Sequence, residues 1–306
     1  MNYTLHQLKI FVKVTELQSI TRAAEELYLT QPAISIQLKK LQDQFDLPLT
    51  EVIGRQLFIT DFGKEIAKRS RKILDEVDGI KYTVDQYKGL LTGKIKISIV
   101  STAKYALPYF LKPFMDLHPG IDISIDVSNK EKVVESLVKN ETDFAMVSLL
   151  PENIKMNTVE LMENRLYLVS SENANVDIKE PKDLEKVTLL FREKGSATRR
   201  AMEHFLESHD IKIGKSIQLV SNEAIKQAII AGIGASVVPL IGLRLALESK
   251  EIKIFPLKDL PVVTNWYLAS LQDKKLTPAQ MALVKYIEDN KANIVNEHFS
   301  WALSAL

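Results

Sequence analysis

The sequence predicts a mixed α/β protein in which a small N-terminal domain and one long helix precede two α/β subdomains. Three patterns predict this: apolar residues at helical spacing before a hairpin, then a seven-residue apolar repeat, then alternating strands and helices. With 306 residues the chain is long enough for several domains. The expected boundaries are 1–60 for the small domain, 61–92 for the helix, 93–163 plus 268–306 for the first subdomain and 164–267 for the second.

Composition excludes some kinds of site. There are 40 basic and 39 acidic residues, so charge alone indicates neither a nucleic-acid nor a membrane partner. The absence of cysteine excludes disulfides and thiolate metal ligands. The N-terminal MNYTLHQLKIFVKV is unlike a signal peptide, and the longest uncharged run, QAIIAGIGASVVPLIGL, is shorter than the ~20 residues of a membrane span. We expect that run to be a buried helix and strand, and the protein to be cytoplasmic without a membrane partner.

Two amphipathic helices are predicted near the N-terminus. Apolar residues at helical spacing in the first are Leu5, Leu8, Phe11 and Val12. The second begins at Ser19 and turns Ala23 and Ala24 inwards. Because small side chains let helices cross closely, we expect the two helices to pack on each other.

A third helix is predicted to begin at Thr30. The Thr30 hydroxyl can cap the helix, and Pro32 is tolerated because first-turn N–H groups have no intrahelical partner. The residues expected to face the interior recur at helical spacing and are Ile34, Leu38, Leu41 and Phe45.

The opposite side of the third helix has two interpretations. It carries Pro32, Ala33, Ile36, Lys39 and Lys40, with Gln31 and Ser35 at one flank. Such a side is common on a solvated helix, and residues 1–60 hold six basic and six acidic residues, so composition shows no DNA binding. The order helix, tight turn, helix is nevertheless typical of a helix-turn-helix, whose second helix enters the DNA major groove. Gln31 and Ser35 would then reach base edges, Ile36 a thymine methyl, and the lysines phosphates.

A hairpin is predicted after Pro48. TEVIGRQLFIT has the pattern of two short strands around Gly54 and Arg55. This would be the wing of a winged helix-turn-helix, with Arg55 placed to enter a minor groove.

The segment 61–92 predicts one long helix with an apolar seam. Two interleaved sets recur every seven residues, namely Ile66, Ile73, Ile80 and Tyr87 with Ser70, Val77, Val84 and Leu91. One interpretation is that the helix lies on its own domain. A narrow seam flanked by charges favours contact between two copies, and at 1.5 Å per residue the helix would be roughly 45 Å long. The predicted dimerisation residues are Ile66, Ile73, Val77, Ile80, Val84 and Tyr87.

Strands and helices alternate from Gly93 onward. KIKISIV, IDISIDVS and DFAMVSL are separated by helices, so a βαβαβ unit with parallel strands is expected. A second set comprises RLYLVS, VTLLF, a helix in ATRRAMEHFLESHD, SIQLV, a helix in NEAIKQAIIAG, and ASVVPL. TNWYLASL and a helix from Pro278 to about Asn290 should return to the first set.

Three strand-to-helix junctions are rich in hydroxyls and small residues: Ser101-Thr102, Gly195 to Thr198, and Ser221-Asn222. Helix N-termini attract anions, and ligands of open α/β sheets bind at the carboxyl ends of strands, so these junctions predict a cleft for a small anion. Arg199 could add a bidentate contact, and Arg192 is a further candidate. The alternative is that each junction is an ordinary helix cap. The residues assigned to the cleft are Ser101, Thr102, Lys104, Asn129, Ser148, Gly195, Ser196, Thr198, Arg199, Ser221 and Asn222.

SITRAAEELYLTQPAISIQLKKLQDQFDLPL and IGRQLFITDFGKEI together resemble the winged helix-turn-helix and linker helix of LysR-type transcriptional regulators. The specific elements are the Ala-Ala pair, Thr-Gln-Pro-Ala-x-Ser, Leu-Pro-Leu before the wing and Thr-x-x-Gly after it. VSTAKYALPYFLKPFMDLHPGIDI, FREKGSATRRAMEHF and SNEAIKQAIIAGIGASVVP resemble the effector domain of the branch that controls Calvin-cycle (Rubisco) operons. The resemblance covers residues 1 to about 260 and excludes the tail after Lys291.

The resemblance implies a transcriptional regulator that works as a homodimer or homotetramer on an inverted repeat in double-stranded DNA, with RNA polymerase as a further partner. It also implies two subdomains of periplasmic-binding-protein-like (type 2) architecture. The effector between them would be a sugar phosphate, phosphoglycolate or a nucleotide cofactor, and no other cofactor is expected. The DNA-binding residues assigned are Thr21, Thr30, Gln31, Pro32, Ala33, Ser35, Ile36, Lys39, Lys40 and Arg55.

Three positions depart from the family pattern. Thr50 stands where an aromatic residue is usual, and Phe62 replaces a small residue before Gly63, so local repacking is expected below the wing. Ile36 stands where a basic residue is frequent, so the DNA sequence that relatives read does not carry over.

An enzyme and a solute-binding protein are the competing classes. Gly232-Ile-Gly234 is a fragment of a dinucleotide fingerprint in the wrong context, and no Gly-x-Ser-x-Gly elbow occurs. The five histidines are scattered, so neither a metal site nor a catalytic residue is predicted. A solute-binding protein would lack the helix-turn-helix, so we expect a regulator.

Overall fold

The computed structural model describes residues 2–54, 56–87, 91–174 and 176–303. The chain divides into two compact units, Met1–Leu90 and Leu91–Leu306. The described part of the first unit contains, in order, α1 (Leu5–Leu17), α2 (Ile20–Glu26), α3 (Gln31–Gln42), β1 (Thr50–Ile53), β2 (Gln56–Ile59) and α4 (Asp61–Tyr87). Strands β1 and β2 pair antiparallel, which confirms the predicted hairpin.

Each short helix of the first unit begins at a side-chain cap. The Thr4 hydroxyl accepts from the Gln7 N–H, and the Gln7 side chain accepts from the Thr4 N–H in return, which forms a capping box before α1. Ser19 caps α2 and Thr30 caps α3, as predicted. Caps matter here because helices of these lengths are marginal alone and depend on packing.

The third helix is shorter than its apolar spacing predicts. It ends at Gln42, whose side-chain oxygen accepts from the Leu49 N–H at 2.5 Å and so holds the turn that follows. Phe45 therefore lies beyond the helix, so the prediction that the helix includes it is wrong, although it packs against the same apolar core as predicted. Its ring lies between those of Tyr3, 6.1 Å away, and Phe62, 5.7 Å away. This aromatic cluster explains why Phe62 is accommodated below the wing.

Helix α4 packs on its own domain over its first half. Ile66, Ala67 and Leu74 belong to the apolar core that α1 also lines, and Ser70 is buried with its hydroxyl bonded to a backbone carbonyl. The alternative interpretation of the seam, a helix lying on its own domain, therefore holds for these positions. Gly63 is required at the base, because a Cβ there would lie 2.0 Å from the Leu49 carbonyl oxygen.

The second unit alternates strands and helices as predicted. Its described elements are β3 (Gly93–Val100), a 3₁₀ turn (Ala103–Tyr105), α5 (Leu107–Leu117), β4 (Ile121–Ser128), α6 (Lys130–Val138), β5 (Phe144–Val147), β6 (Met156–Ser171), a second 3₁₀ segment (Pro181–Lys186), β7 (Thr188–Arg192), α7 (Ala197–Ser208), β8 (Lys215–Leu219), α8 (Asn222–Ile230), β9 (Ser236–Pro239), a third 3₁₀ turn (Leu240–Gly242), α9 (Arg244–Glu248), β10 (Ile252–Phe255), β11 (Val262–Leu271) and α10 (Pro278–Leu303).

Two long antiparallel strands connect two subdomains within this unit. Strand β3 pairs parallel with both β4 and β5, which confirms the βαβαβ prediction. Strands β6 and β11 pair along their lengths, with a register shift between Trp266 and Tyr267. We call β3–β5, α5, α6 and α10 subdomain I, and β7–β10 with α7–α9 subdomain II; β6 and β11 belong to both. Strands β7 and β8 pair parallel with each other.

Subdomain II has an apolar core on each face of its strands. Along β6, Leu166 and Leu168 face the core that α7 covers, whereas Tyr167 and Val169 face the core that α8 covers. This follows from the period of two along a strand, and it explains why RLYLVS is apolar at almost every position. The long uncharged run forms part of α8 and strand β9, as expected.

The C-terminal helix is longer than predicted. It continues past Asn290 to Leu303, and its last turns contact both subdomains. Phe299 is buried in the core of subdomain I, 5.1 Å from the Tyr109 ring, whereas Trp301 packs on the second subdomain with its ring 5.4 Å from the Arg244 guanidinium. We call residues 292–303 the C-terminal tail.

Among the described residues, none of the helices combines the length and the apolar character that a membrane crossing requires.

Candidate functional site

The assigned surface of α3 is presented to solvent. Ile36 is 54% exposed, an unusual setting for an isoleucine on a small helical domain. Ala33 and Ser35 are half-buried, and the other described members of the assigned DNA-binding set are exposed: Thr21, Thr30, Gln31, Pro32, Lys39 and Lys40. Arg55 lies outside the described residues. The opposite face is buried through Ile34, Leu38 and Leu41, as predicted.

The polar groups on this surface are only lightly engaged. The Gln31 amide donates to the Ser35 hydroxyl at 3.3 Å, at the long end of hydrogen-bond range, and Thr30 is occupied as the helix cap. Lys39 and Lys40 form no ion pair among the described residues. Amide, hydroxyl, apolar and ammonium groups are therefore accessible on one helix face, a combination that suits contacts with base edges and phosphates.

One exposed residue of this domain was not identified from the sequence. Tyr28, in the turn before α3, is 95% exposed and has a backbone φ of 54°. A bulky residue in the left-handed region is uncommon and marks a turn held by its surroundings. The sequence feature that could have identified Tyr28 is a large aromatic residue within a three-residue turn.

Two of the three predicted anion junctions meet at a buried arginine. Arg192, 3% exposed, ends β7 and forms a bidentate ion pair with Glu193, both contacts being 2.8 Å. Its guanidinium also donates to the Asn222 side-chain oxygen and, at 3.2 Å, to the Ser101 hydroxyl, while Asn222 donates to the same hydroxyl at 3.1 Å. Ser101 lies in subdomain I and Asn222 in subdomain II, so Arg192 links the two.

The Arg192 contacts fill the space between the Ser101-Thr102 and Ser221-Asn222 junctions, where the sequence predicts a ligand. Thr102 and Asn222 line a cavity of only about 10 Å³. Lys104 lies over the Tyr105 ring at 5.0 Å. Ser221 and Asn129 cap α8 and α6, each accepting from a backbone N–H at 3.0 Å, so the ordinary-cap alternative describes their contacts.

The third junction borders two larger cavities. The first, about 200 Å³, lies where β6 and β11 cross between the subdomains, and we call it the hinge cavity. Its lining residues are Ser148, Leu149, Asn164, Leu166, Ala197, Thr198, Arg200, Ala201, His204, Val262 and Thr264. The Asn164 amide donates to the Thr264 hydroxyl at 3.1 Å across the two strands. Apolar walls with a few fixed polar groups are typical of a small-molecule site.

The second cavity, about 260 Å³, lies on the other side of the first turn of α7, and we call it the cationic cavity. It is lined by Lys130, Lys194, Gly195, Ser196, Ala197, Arg199, Arg200 and Glu203. Arg199 is held by Glu203 at 2.7 Å and Gln218 at 2.7 Å, so it is not free to clamp a ligand as predicted. Gly195 has φ 86° and faces the Glu131 side chain, which would lie 3.3 Å from a Cβ there.

The structure brings only part of the assigned cleft set together. Gly195, Ser196 and Arg199 line the cationic cavity, and Ser148 and Thr198 line the hinge cavity. Seven polar or charged lining residues were not assigned from the sequence: Lys130, Asn164, Lys194, Arg200, Glu203, His204 and Thr264. Asn164 and Thr264 meet because they are register partners in the β6–β11 pair, and a pairing between residues so distant in sequence has no local signal.

A winged helix-turn-helix domain joined to a two-subdomain α/β unit is the architecture expected of a ligand-responsive DNA-binding protein. The profile of the bacterial regulatory helix-turn-helix protein, lysR family, matches residues 5–64, and that of the LysR substrate binding domain matches residues 88–292. The chain belongs to the LysR family of transcriptional regulators.

Relatives over the full chain share this organisation. The chain is 33% identical to a RuBisCO operon transcriptional regulator of Allochromatium vinosum, over 96% of this chain and 98% of that protein. It is 32% identical to the transcriptional activator CmpR of Synechocystis sp., over 94% of this chain and 95% of that one. The predictions that the chain is a DNA-binding regulator and not an enzyme are confirmed by these likenesses.

Two solved structures are similar in fold. The Synechocystis CcmR regulatory domain in complex with 2-PG matches at a TM-score of 0.61 and 30% identity, covering 66% of this chain and 99% of that one. Full-length CbnR with its target DNA matches at a TM-score of 0.71 and 19% identity, covering 94% of this chain and 99% of that one. At that identity the CbnR likeness concerns the fold alone.

Proposed function

We propose that the effector of this regulator is a small phosphorylated metabolite that binds in the hinge cavity. The carrying observation is that both subdomains line this cavity, through Ser148 from one, Thr198 and His204 from the other, and Asn164 and Thr264 from the connecting strands. A ligand that bridges two bodies at their hinge favours the closed arrangement by its difference in affinity between closed and open states.

The chemistry of the cavity favours an anionic ligand with hydrogen-bonding groups. Arg200 supplies positive charge, and Ser148, Asn164, Thr198 and Thr264 supply hydroxyl and amide groups. The N-terminal turn of α7 adds free N–H groups and partial positive charge. CcmR, which is 30% identical over its regulatory domain, binds 2-PG, or 2-phosphoglycolate, which has this chemistry.

We propose further that the protein acts as a homodimer or homotetramer in the cytoplasm, where two α3 helices read an inverted repeat. The support is the exposed stripe of α4, since Ile73, Val77 and Ile80 are 40%, 36% and 64% exposed on a helix otherwise rich in charge. A contact between two copies would cover this stripe. RNA polymerase is then a partner of the DNA-bound form.

The effector proposal is tested by thermal shift and DNA binding together. 2-Phosphoglycolate should raise the melting temperature of the full chain, and it should change the mobility of its complex with the DNA upstream of its own gene. Thr264→Val and Thr198→Ala should remove the thermal shift, whereas Thr158→Val, on the same β6–β11 pair outside the cavity, should keep it. A shift that is the same in all four proteins would place the ligand elsewhere.

A further inference from the structure

The cationic cavity holds positive charge that the protein itself leaves unpaired. Four cationic residues and one carboxylate line it, and the carboxylate, Glu203, is paired with Arg199. Lys130, Lys194 and Arg200 form no ion pair among the described residues. An excess of unpaired like charge in one concave place costs free energy unless an anion joins it.

The unpaired charges come from both subdomains. Lys130 begins α6 in subdomain I, whereas Lys194 and Arg200 flank the start of α7 in subdomain II. Burial and then the Arg200 charge lower the pKa of Lys130, and the Glu152 charge opposes this only in part. The two subdomains therefore repel each other at this place when no anion is present.

A hydroxyl that lines the same cavity also lacks a hydrogen-bond partner among the described residues. Ser196 is 8% exposed and stands at the N-cap position of α7, yet its hydroxyl makes no capping bond and no other hydrogen bond to a described residue. Because this hydroxyl lines the cavity and is not engaged as a helix cap, it is available to donate to an anion bound there.

We propose that the cationic cavity is the anion subsite of the effector site and binds a phosphoryl group between Lys130 on one side and Lys194, Arg200 and Ser196 on the other. This rests on the proposed function, because the remainder of the ligand lies in the hinge cavity. Ala197 and Arg200 line both cavities, so the two cavities adjoin at the first turn of α7.

The charge count selects a phosphoryl group over a carboxylate. A phosphoryl group brings up to two charges and three acceptor oxygens. Three unpaired cations line the cavity and the Glu131 carboxylate lies beside Gly195, so the net charge to be matched is about two. A carboxylate brings one charge and would leave part of the repulsion in place. When the anion binds, the cations of both subdomains are attracted to it and no longer repel each other. The bound anion therefore favours the closed arrangement of the two subdomains.

The test is a calorimetric titration of the full chain with inorganic phosphate at low ionic strength, with acetate as the singly charged comparison. Phosphate should bind at least about tenfold more tightly than acetate, and Lys130→Gln, Lys194→Gln and Arg200→Gln should each weaken phosphate about tenfold, the loss of one charge-assisted contact. Lys258→Gln, an exposed lysine of subdomain II outside the cavity, should bind phosphate as the parent does.

Two results would overturn the subsite. One is no binding of phosphate to the parent protein; the other is equal phosphate affinity in the parent and the three cavity variants. A parallel titration with 2-phosphoglycolate separates this from the proposed function. If Thr264→Val weakens 2-phosphoglycolate and the lysine variants do not, the hinge site stands and the subsite falls. If phosphate binding depends on the lysines while 2-phosphoglycolate does not bind, the subsite stands and the hinge effector falls.

Discussion

At the scale of single residues, the surface of α3 carries two kinds of group that suit different parts of DNA, namely base edges and phosphates. Gln31 and Ser35 carry groups that can hydrogen-bond to base edges, and Ile36 carries an apolar surface that is exposed in the free protein. Covering Ile36 with a thymine methyl would remove that exposure, so we expect this position to contribute to sequence preference. Lys39 and Lys40 would contact phosphates, and such contacts add affinity without sequence preference.

We expect Gln31→Ala to reduce discrimination between the natural site and single-base variants by about 1–3 kcal/mol, the worth of one good base contact. Lys39→Ala should weaken binding to all sequences alike and reduce the salt dependence by about one phosphate contact. Fluorescence anisotropy at several salt concentrations distinguishes the two. If Gln31→Ala weakens binding equally to all DNA sequences, Gln31 does not contribute to sequence recognition.

Arg192 offers a second prediction at this scale. Replacing it by Met leaves the partly buried Glu193 carboxylate and the Asn222 amide without their partner. Breaking such a buried pair costs about 3–5 kcal/mol, and the partial exposure of Glu193 places the expected loss at the lower end. Urea unfolding of the full chain measures it. The double variant Arg192→Met/Glu193→Gln should regain part of the lost free energy of unfolding. If it regains none, the broken ion pair is not the cause of the destabilisation.

At the scale of elements, α4 has two apolar faces. Its buried positions pack on α1, and its exposed stripe is the face that we propose contacts another copy. The seven-residue repeat in the sequence does not distinguish the two, because both are apolar faces of one helix. Val84 and Tyr87 extend the repeat, but their side chains lie outside the described residues, so their role in dimerisation stays a prediction.

Val77→Glu should therefore weaken self-association while leaving the fold intact, since Val77 is exposed and a charge would be buried without a partner in the contact. Analytical ultracentrifugation should show a rise in the dimer dissociation constant of at least about tenfold, equivalent to roughly 1.4 kcal/mol. Lys68→Glu, an exposed change on the same helix, is the matched control and should associate as the parent does.

The C-terminal tail is the other element whose role depends on tertiary packing. Phe299→Ala should destabilise the second unit by about 3–5 kcal/mol, because the ring is 3% exposed and packs against Tyr109 and Phe110. Differential scanning calorimetry measures the change. Asn296→Ala, on the same helix at an open groove, should cost under about 1 kcal/mol, as surface changes usually do.

At the scale of the whole molecule, the features predicted correctly from the sequence are those that depend on residues close together in the chain. Caps, the turn at Thr30 and the βαβαβ order depend on neighbouring residues, and these predictions are confirmed. The end of α3 depends on a side chain of Gln42 that reaches Leu49, and the ligand cavities depend on strands paired across about a hundred residues. Such contacts leave no local pattern, so hydroxyl-rich junctions pointed to helix caps as well as to cavity walls.

The tail has a consequence for how the response of this regulator can be tuned. Hinge rotation between the subdomains must either carry Trp301 away from Arg244 or strain the bond from Arg165 to the Leu303 carbonyl, 2.5 Å long. The free energy of these contacts enters the balance between open and closed forms, although they lie outside both cavities proposed for the effector. Substitutions in the last turns of α10 can therefore move the metabolite concentration at which the switch turns, and selection could adjust that threshold without altering either binding site.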